Sequence, residues 1–224
     1  GGEKKLADKI ISYLKKMQKI GLTSVSVTNA SHIQRIKKEV PDLIIHSSVN
    51  CYVKNIEHAK YLKELGVDVI TIDRDINRDI DLIKKIKKAT GAKITVILNE
   101  GCLRNCPYRH THFNMISHFK DTDYFDSVSC INIYRKNPEK IFSIPFIRPE
   151  DLKKYDGIAD YFKLSTRTTP IMKIPVILDA YVRESFDGNL LHLLSTKGLF
   201  FCFKEIDNRV LNSEGFEKML WQCN

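Results

Sequence analysis

The sequence predicts an α/β protein built on a parallel sheet with crossover helices, in the rhythm of a (β/α) barrel. Three observations carry this. Helix-period and strand-length apolar segments alternate four times over the first hundred residues. The connections between them are short, which suits βα units. The strand segments are β-branched throughout, as expected where both sheet faces are covered.

In order, Leu6, Ile10, Ile11, Leu14 and Met17 follow helical spacing, and Gly21 supplies a stop. Ser24 to Thr28 reads as the first strand. Asn29 or Ser31 can cap the next helix, which carries Ile33, Ile36 and Val40 and ends at Pro41. Leu43 to Ser48 is the second strand. Asn55 caps a helix with Ile56, Ala59, Leu62 and Leu65, closed by Gly66. Val67 to Ile72 is the third strand. A helix through Ile80, Ile83 and Ile86 ends at Gly91, and Lys93 to Leu98 is the fourth strand. A doubly wound sheet is the alternative, but it normally carries a glycine-rich turn after its first strand. Thr28-Asn29-Ala30-Ser31 has no such glycine.

Beyond Gly101 the rhythm changes. Ser117 to Lys140 is polar and irregular. Ser143 to Arg148 then reads as a fifth strand, and Pro149 can open a helix to Tyr155. Tyr161 to Ser165 is a sixth strand, and Pro170 to Arg183 a long helix. A closed TIM-like barrel needs about eight strands. With about six in hand and a helix at the start, the expectation is a TIM-like (β/α) barrel lacking roughly two N-terminal units. A missing N-terminal segment or a partner subunit would complete it. Residues 1–224 are expected to form one domain, with a cysteine-bearing loop over 101–142 and a tail over 199–224.

Composition excludes some classes. Hydrophobic residues make up 43% and charged residues 28% of 224, which suits a globular chain. No apolar run reaches the length of a membrane span, and no signal peptide opens the chain. A cytoplasmic location with reduced thiols is expected. The net charge of +9 invites a nucleic-acid partner. Much of it falls on Lys15, Lys16, Lys19, Lys84, Lys85, Lys87 and Lys88, which read as solvated helix faces.

Chemistry concentrates after the fourth strand. Gly101 breaks the apolar run, and Cys102, Cys106, Arg109, His110 and His112 follow. A buried strand delivering such side chains at its C-terminal end is how α/β enzymes build sites. Thiolates are soft ligands for zinc and iron–sulfur clusters. Cys130 and Cys223 are the best candidates to complete the set, whereas Cys51 and Cys202 read as buried, inert thiols. A radical-SAM pattern fails, because Arg109 stands where its third cysteine belongs. Dispersed ligands fit a [4Fe-4S] cluster better than zinc, which usually takes two compact pairs. Arg148, Lys163 and Arg167 are placed at strand ends where cations can bind a substrate anion. The competing reading pairs some of them with Glu100, Glu150 or Asp151. Glu100, Arg109 and His112 are the candidate catalytic groups.

Asn99-Glu100-Gly101-Cys102-Leu103-Arg104-Asn105-Cys106-Pro107-Tyr108-Arg109, with His112 and Asn114, resembles the central motif of the peptidase U32 (collagenase-like) family. Phe146 to Leu152, Phe162 to Arg167, Ala180-Tyr181, Gly188 to Leu191 and Ile206-Asp207-Asn208 match later blocks. The resemblance implies a TIM-like barrel with a [4Fe-4S] cluster on four cysteines. It also implies oxygen-independent hydroxylation, or a related modification, of RNA, a small molecule or a peptide. Some relatives carry the name of proteases, so a peptidase is the alternative, and a non-catalytic iron–sulfur subunit is another. No Gly-x-Ser-x-Gly or His-Glu-x-x-His occurs to support hydrolysis.

Overall fold

The computed structural model of the chain describes residues 2–117, 130–166, 169–195, 199 and 203–209. It divides into two compact units, residues 1–97 with 155–163, and residues 98–154 with 164–224.

In the first unit, helix and strand alternate as the periodicity requires. The elements are α1 (Gly2–Gln18), β1 (Ser24–Val27), α2 (Ala30–Glu39), β2 (Ile44–Ser47), α3 (Ile56–Glu64), β3 (Val69–Thr71), α4 (Ile80–Thr90), β4 (Lys93–Ile97) and β5 (Tyr161–Lys163). The strands form one parallel sheet in the order β1-β2-β3-β4-β5. The chain therefore crosses the sheet in one direction, as a barrel does. A doubly wound sheet reverses at a switch point, and this one does not.

Side-chain caps set the helix starts. Asn29 accepts from the Ser31 amide at 3.0 Å, Asn55 from His58 at 2.8 Å, and Asp79 from Leu82 at 3.0 Å. Each such cap stabilises its helix by about 1 kcal/mol. At the other end of α4, Gly91 takes φ 60°, the left-handed conformation that frees its amide to bond Lys87. Ile33, Ile36, Leu62, Ile83 and Ile86 from the helices, with Ile45, Ile70, Ile94 and Val96 from the strands, are buried and form the core. Each contributes roughly 1.5–3 kcal/mol.

Two expectations are corrected. Among the described residues there are five strands, not six, because Ser143 to Arg148 is not one. A 3-10 helix occupies Pro138–Ser143, and an extended run follows to Arg148. Pro145 and Pro149 lack the amide donors a ladder needs. The Ile147 amide donates to the Leu98 carbonyl at 2.8 Å, and the Ile147 carbonyl accepts from the Tyr181 hydroxyl at 2.8 Å. The polar stretch after the cysteines is also not irregular throughout. After α5 (Arg109–Ser117), which ends where that stretch begins, Ser117 to Lys140 holds α6 (Cys130–Lys136) and the start of the 3-10 helix Pro138–Ser143.

The second unit contains α5, α6, α7 (Ile174–Val182) and several 3-10 turns. Tyr134 on α6 is buried and meets Phe203 edge-on at 5.9 Å. Among the described residues, no helix is long and apolar enough to cross a membrane.

Candidate functional site

The cysteine turn begins at Asn99, which is fully buried. Its amide Nδ2 donates to the carbonyls of Ser165 at 3.0 Å and Leu193 at 3.1 Å, and its Oδ1 accepts from the Ser165 amide at 2.7 Å. Backbone bonds from Ser195 to the Asn99 carbonyl at 2.9 Å, and from Gly101 to the Ser195 hydroxyl at 3.3 Å, complete the anchor.

Two buried charged groups then brace the turn. Glu100 Oε1 accepts from the Cys102 amide at 3.0 Å. Arg109 Nη2 donates to the Leu103 carbonyl at 2.8 Å, and the Arg109 amide bonds the Cys106 carbonyl at 3.2 Å. Between them Asn105 adopts φ 50°, which asparagine tolerates better than most residues. Glu100 and Arg109, selected from the sequence as catalytic groups, thus hold the loop that carries the thiols. His112 lies on α5, half-buried, with its ring stacked on Phe113 at 6.0 Å. Burial lowers its pKa, which favours the neutral imidazole.

Cys102, Cys106 and Cys130 are half-buried. The first two share the turn, and Cys130 is the first residue of α6. Cys223 lies outside the described residues. Among the described residues, no group of three His, Cys, Asp or Glu side chains is arranged to hold a metal ion. Cysteine sulfur is the kind of donor that zinc and iron–sulfur centres take.

A cavity of about 450 Å³ opens beside the turn. Leu103, Arg104, Asn105 and Pro107 form one wall. Ile133 of α6, one helical turn from Cys130, and Lys140 and Ser143 form the rest.

The predicted substrate cations separate. Arg148 does not follow a strand. It is buried, with Nε donating to Asn208 Oδ1 at 2.9 Å and Nη2 3.3 Å from Glu150 Oε2. Asn208 Nδ2 donates in turn to Glu150 Oε1 at 2.7 Å and the Phe186 carbonyl at 2.6 Å. The pairing with Glu150 is the competing reading given above. Lys163 is exposed on β5 of the first unit. Arg167 lies outside the described residues.

In the first unit, a polar cluster went unnoticed in the sequence. Asp73, Arg74, Asp75, Asn77 and Arg78, directly after β3, are all at most 5% exposed. Lys54 Nζ reaches Asp75 at 2.6 Å. Asn77 exchanges hydrogen bonds with the Ile97 backbone, and its carbonyl accepts from the Tyr155 hydroxyl at 2.7 Å. The available signal was Asp-Arg-Asp-Ile-Asn-Arg-Asp at the C-terminal end of an apolar strand. Cys51, in the same unit, donates to the carbonyls of Val27 and Thr28, and burial raises its pKa.

The sheet order and the braced thiol turn define an α/β protein whose five parallel strands are consistent with an incomplete barrel and whose paired thiols follow β4 in the chain. The family model of peptidase family U32 matches residues 3–181, and the chain belongs to that family. It is 35% identical to an uncharacterized protease of Methanocaldococcus jannaschii, covering 98% of this chain and 70% of the relative. A second relative, the 23S rRNA 5-hydroxycytidine C2501 synthase of Escherichia coli, is 30% identical over 64 residues. That match covers 29% of this chain and 10% of the synthase. Among solved structures, the U32 peptidase Mk0906 superposes with a TM-score of 0.51 at 21% identity, over 73% of this chain and 62% of that one. This last likeness concerns the fold.

Proposed function

We propose that the chain is an iron–sulfur-dependent enzyme of the U32 family that acts in the cytoplasm on a TIM-like barrel completed by a further segment or a partner subunit. In this reading Cys102, Cys106, Cys130 and Cys223 hold a [4Fe-4S] cluster. The observation that carries it is a pair of half-buried thiols in one turn, fixed from both sides by buried Glu100 and Arg109. Such rigidity suits a ligand loop better than a surface loop. When bound, the cluster would supply a redox or Lewis-acid centre. Glu100 and Arg109 would keep the thiols in register, and His112, held toward its neutral form, would accept a proton.

The substrate class is proposed as RNA, with oxygen-independent hydroxylation of a base or a related modification as the reaction. The partial relative that makes 5-hydroxycytidine in 23S rRNA supports this, as does the positive net charge. Arg167 and Lys163 are the remaining candidate cations for phosphate contacts.

Anaerobic purification followed by iron, sulfide and zinc assays tests the cofactor. About four irons and four sulfides per chain are expected for one such cluster. Stoichiometric zinc without iron overturns it. Mass spectrometry of RNA exposed to the reduced protein tests the reaction. A second reading, a U32 peptidase, is favoured by the name of the archaeal relative. Hydrolysis of a peptide panel by iron-free protein would establish it instead.

A further inference from the structure

We infer that α1 carries a docking stripe for an amphipathic α-helix of a partner polypeptide, one with acidic residues along its flanks. The inference deepens one part of the proposed reading, the barrel completed by a partner subunit, and stands whether or not the thiols hold iron.

α1 has more apolar surface than its own unit covers. Ala7, Ile11 and Leu14 are buried and face the core. A second row, Leu6, Ile10, Tyr13, Met17 and Ile20, repeats at alternating spacings of four and three residues. That spacing is the narrow seam of a coiled coil rather than the broad stripe of a helix resting on a sheet. Leu6 is 54%, Tyr13 61% and Ile20 77% exposed, and Ile10 and Met17 are half-buried. The other flank of α1 is tied to α2, where Arg35 pairs with Asp8 and Lys15 Nζ lies 3.1 Å from Glu39 Oε2. At about 3.6 residues per turn, Asp8 and Lys15 fall on one side of the core-facing row, and Leu6 and Tyr13 on the other. The open row therefore stands where the next helix of a (β/α) layer packs beside α1.

Charge chooses the occupant. With Leu6, Tyr13 and Ile20 as the d positions of a heptad, Lys9 and Lys16 are g positions, exposed along the outer border of the row. A helix that sets glutamates opposite them is attracted along the seam, and a lysine-flanked one is repelled. A second copy of this chain is a poor match. Packed antiparallel, it would set these lysines against each other. Packed parallel, it would set them against Ala7 and Leu14, which are buried in its own core.

Two labelled three-heptad peptides test the proposal, with leucine at a and d and either glutamate or lysine at both flanking positions. Each is titrated with the full chain and read by fluorescence anisotropy. Like charges keep each peptide from pairing with itself. The glutamate peptide is expected to bind at least about tenfold tighter than the lysine peptide. Lys9→Glu combined with Lys16→Glu is expected to reverse that order. Leu6→Ser combined with Tyr13→Ser is expected to weaken the glutamate peptide at least about tenfold. Both side chains are exposed, so circular dichroism is expected to stay unchanged. Lys84→Glu combined with Lys88→Glu, the same charge change on the exposed face of α4, is expected to leave the order as it was. Absence of glutamate-peptide binding up to about 1 mM overturns the proposal. So does an unreversed order in the Lys9 and Lys16 variant, or a reversal in the α4 variant. Self-association in sedimentation that the Leu6 and Tyr13 variant abolishes also overturns it, because a second copy is then the occupant. An iron-free chain that binds the glutamate peptide in this way supports the docking stripe while removing the proposed cofactor.

Discussion

Asn99 and Ser165 exchange two hydrogen bonds, Nδ2 to the Ser165 carbonyl at 3.0 Å and the Ser165 amide to Oδ1 at 2.7 Å. The side-chain amide thereby imitates a neighbouring strand's backbone, and it does so with no exposure to water. Asn99→Asp keeps the size but replaces the donor with an acceptor facing two carbonyls. A loss of about 2–4 kcal/mol is expected from unsatisfied and repelling buried groups. Urea denaturation checks it, and a midpoint equal to that of the unmodified chain contradicts it.

The Arg148, Glu150 and Asn208 network makes a second prediction. Arg148→Ala leaves a carboxylate and an amide without their buried cation and is expected to cost about 3–5 kcal/mol. Arg148→Lys keeps the charge but cannot reach Asn208 and Glu150 through two fixed donors, so it recovers only part of that. Thermal unfolding of both variants gives the ranking, and equal melting temperatures would remove the fork from the argument.

Cysteine substitutions separate ligands from bystanders. Cys102→Ser and Cys106→Ser are expected to abolish iron retention after anaerobic reconstitution. Cys51→Ala is expected to leave it intact, since that thiol is committed to the carbonyls of Val27 and Thr28. Cys51 should also be alkylated slowly near neutral pH, because burial disfavours its thiolate. Peptide mapping after iodoacetamide treatment reads both sets of thiols. Iron loss in Cys51→Ala would reverse the assignment.

Two histidines predict a pH dependence. Burial, with help from Lys163 and Lys93 against the opposing Asp68, depresses the His46 pKa, and burial depresses that of His112. The unfolded chain takes up protons near 6.5, whereas the folded chain resists until lower pH. Stability is therefore level above that value and falls as pH drops through it toward the folded values. Asp68 and Asp160, also depressed, contribute their losses only at still lower pH, below the ordinary carboxylate value of 3.8. Urea midpoints at pH 7.5 and 5.5 give the slope, and His46→Gln is expected to flatten it.

The first four strands were legible because glycine stops, asparagine caps and β-branched runs agreed with one another. The run Ile144-Pro145-Phe146-Ile147 was misread for a physical reason. Ile144, Phe146 and Ile147 are at most 4% exposed and Pro145 is buried, so an apolar pattern registered burial rather than strand pairing. The cysteine turn was visible from its thiols and Gly101. The bracing roles of Glu100 and Arg109 were not, since a charged residue near a thiol looks the same whether it supports the loop or meets a substrate. The Asp73 to Arg78 cluster stayed hidden because charges belong at the surface by default.

The spacing of the strands along the chain bears on synthesis. Ser24 pairs with Ile44 and Val69 with Lys93, so the first four strands can zip together as they leave the ribosome. Tyr161 must return to Thr95 across residues 98–160. At about 5–20 residues per second the outer edge of β4 waits roughly 3–13 s for its partner. During that interval a nascent chain displays an unsatisfied ladder edge, the kind of surface that chaperones cover and neighbouring chains capture.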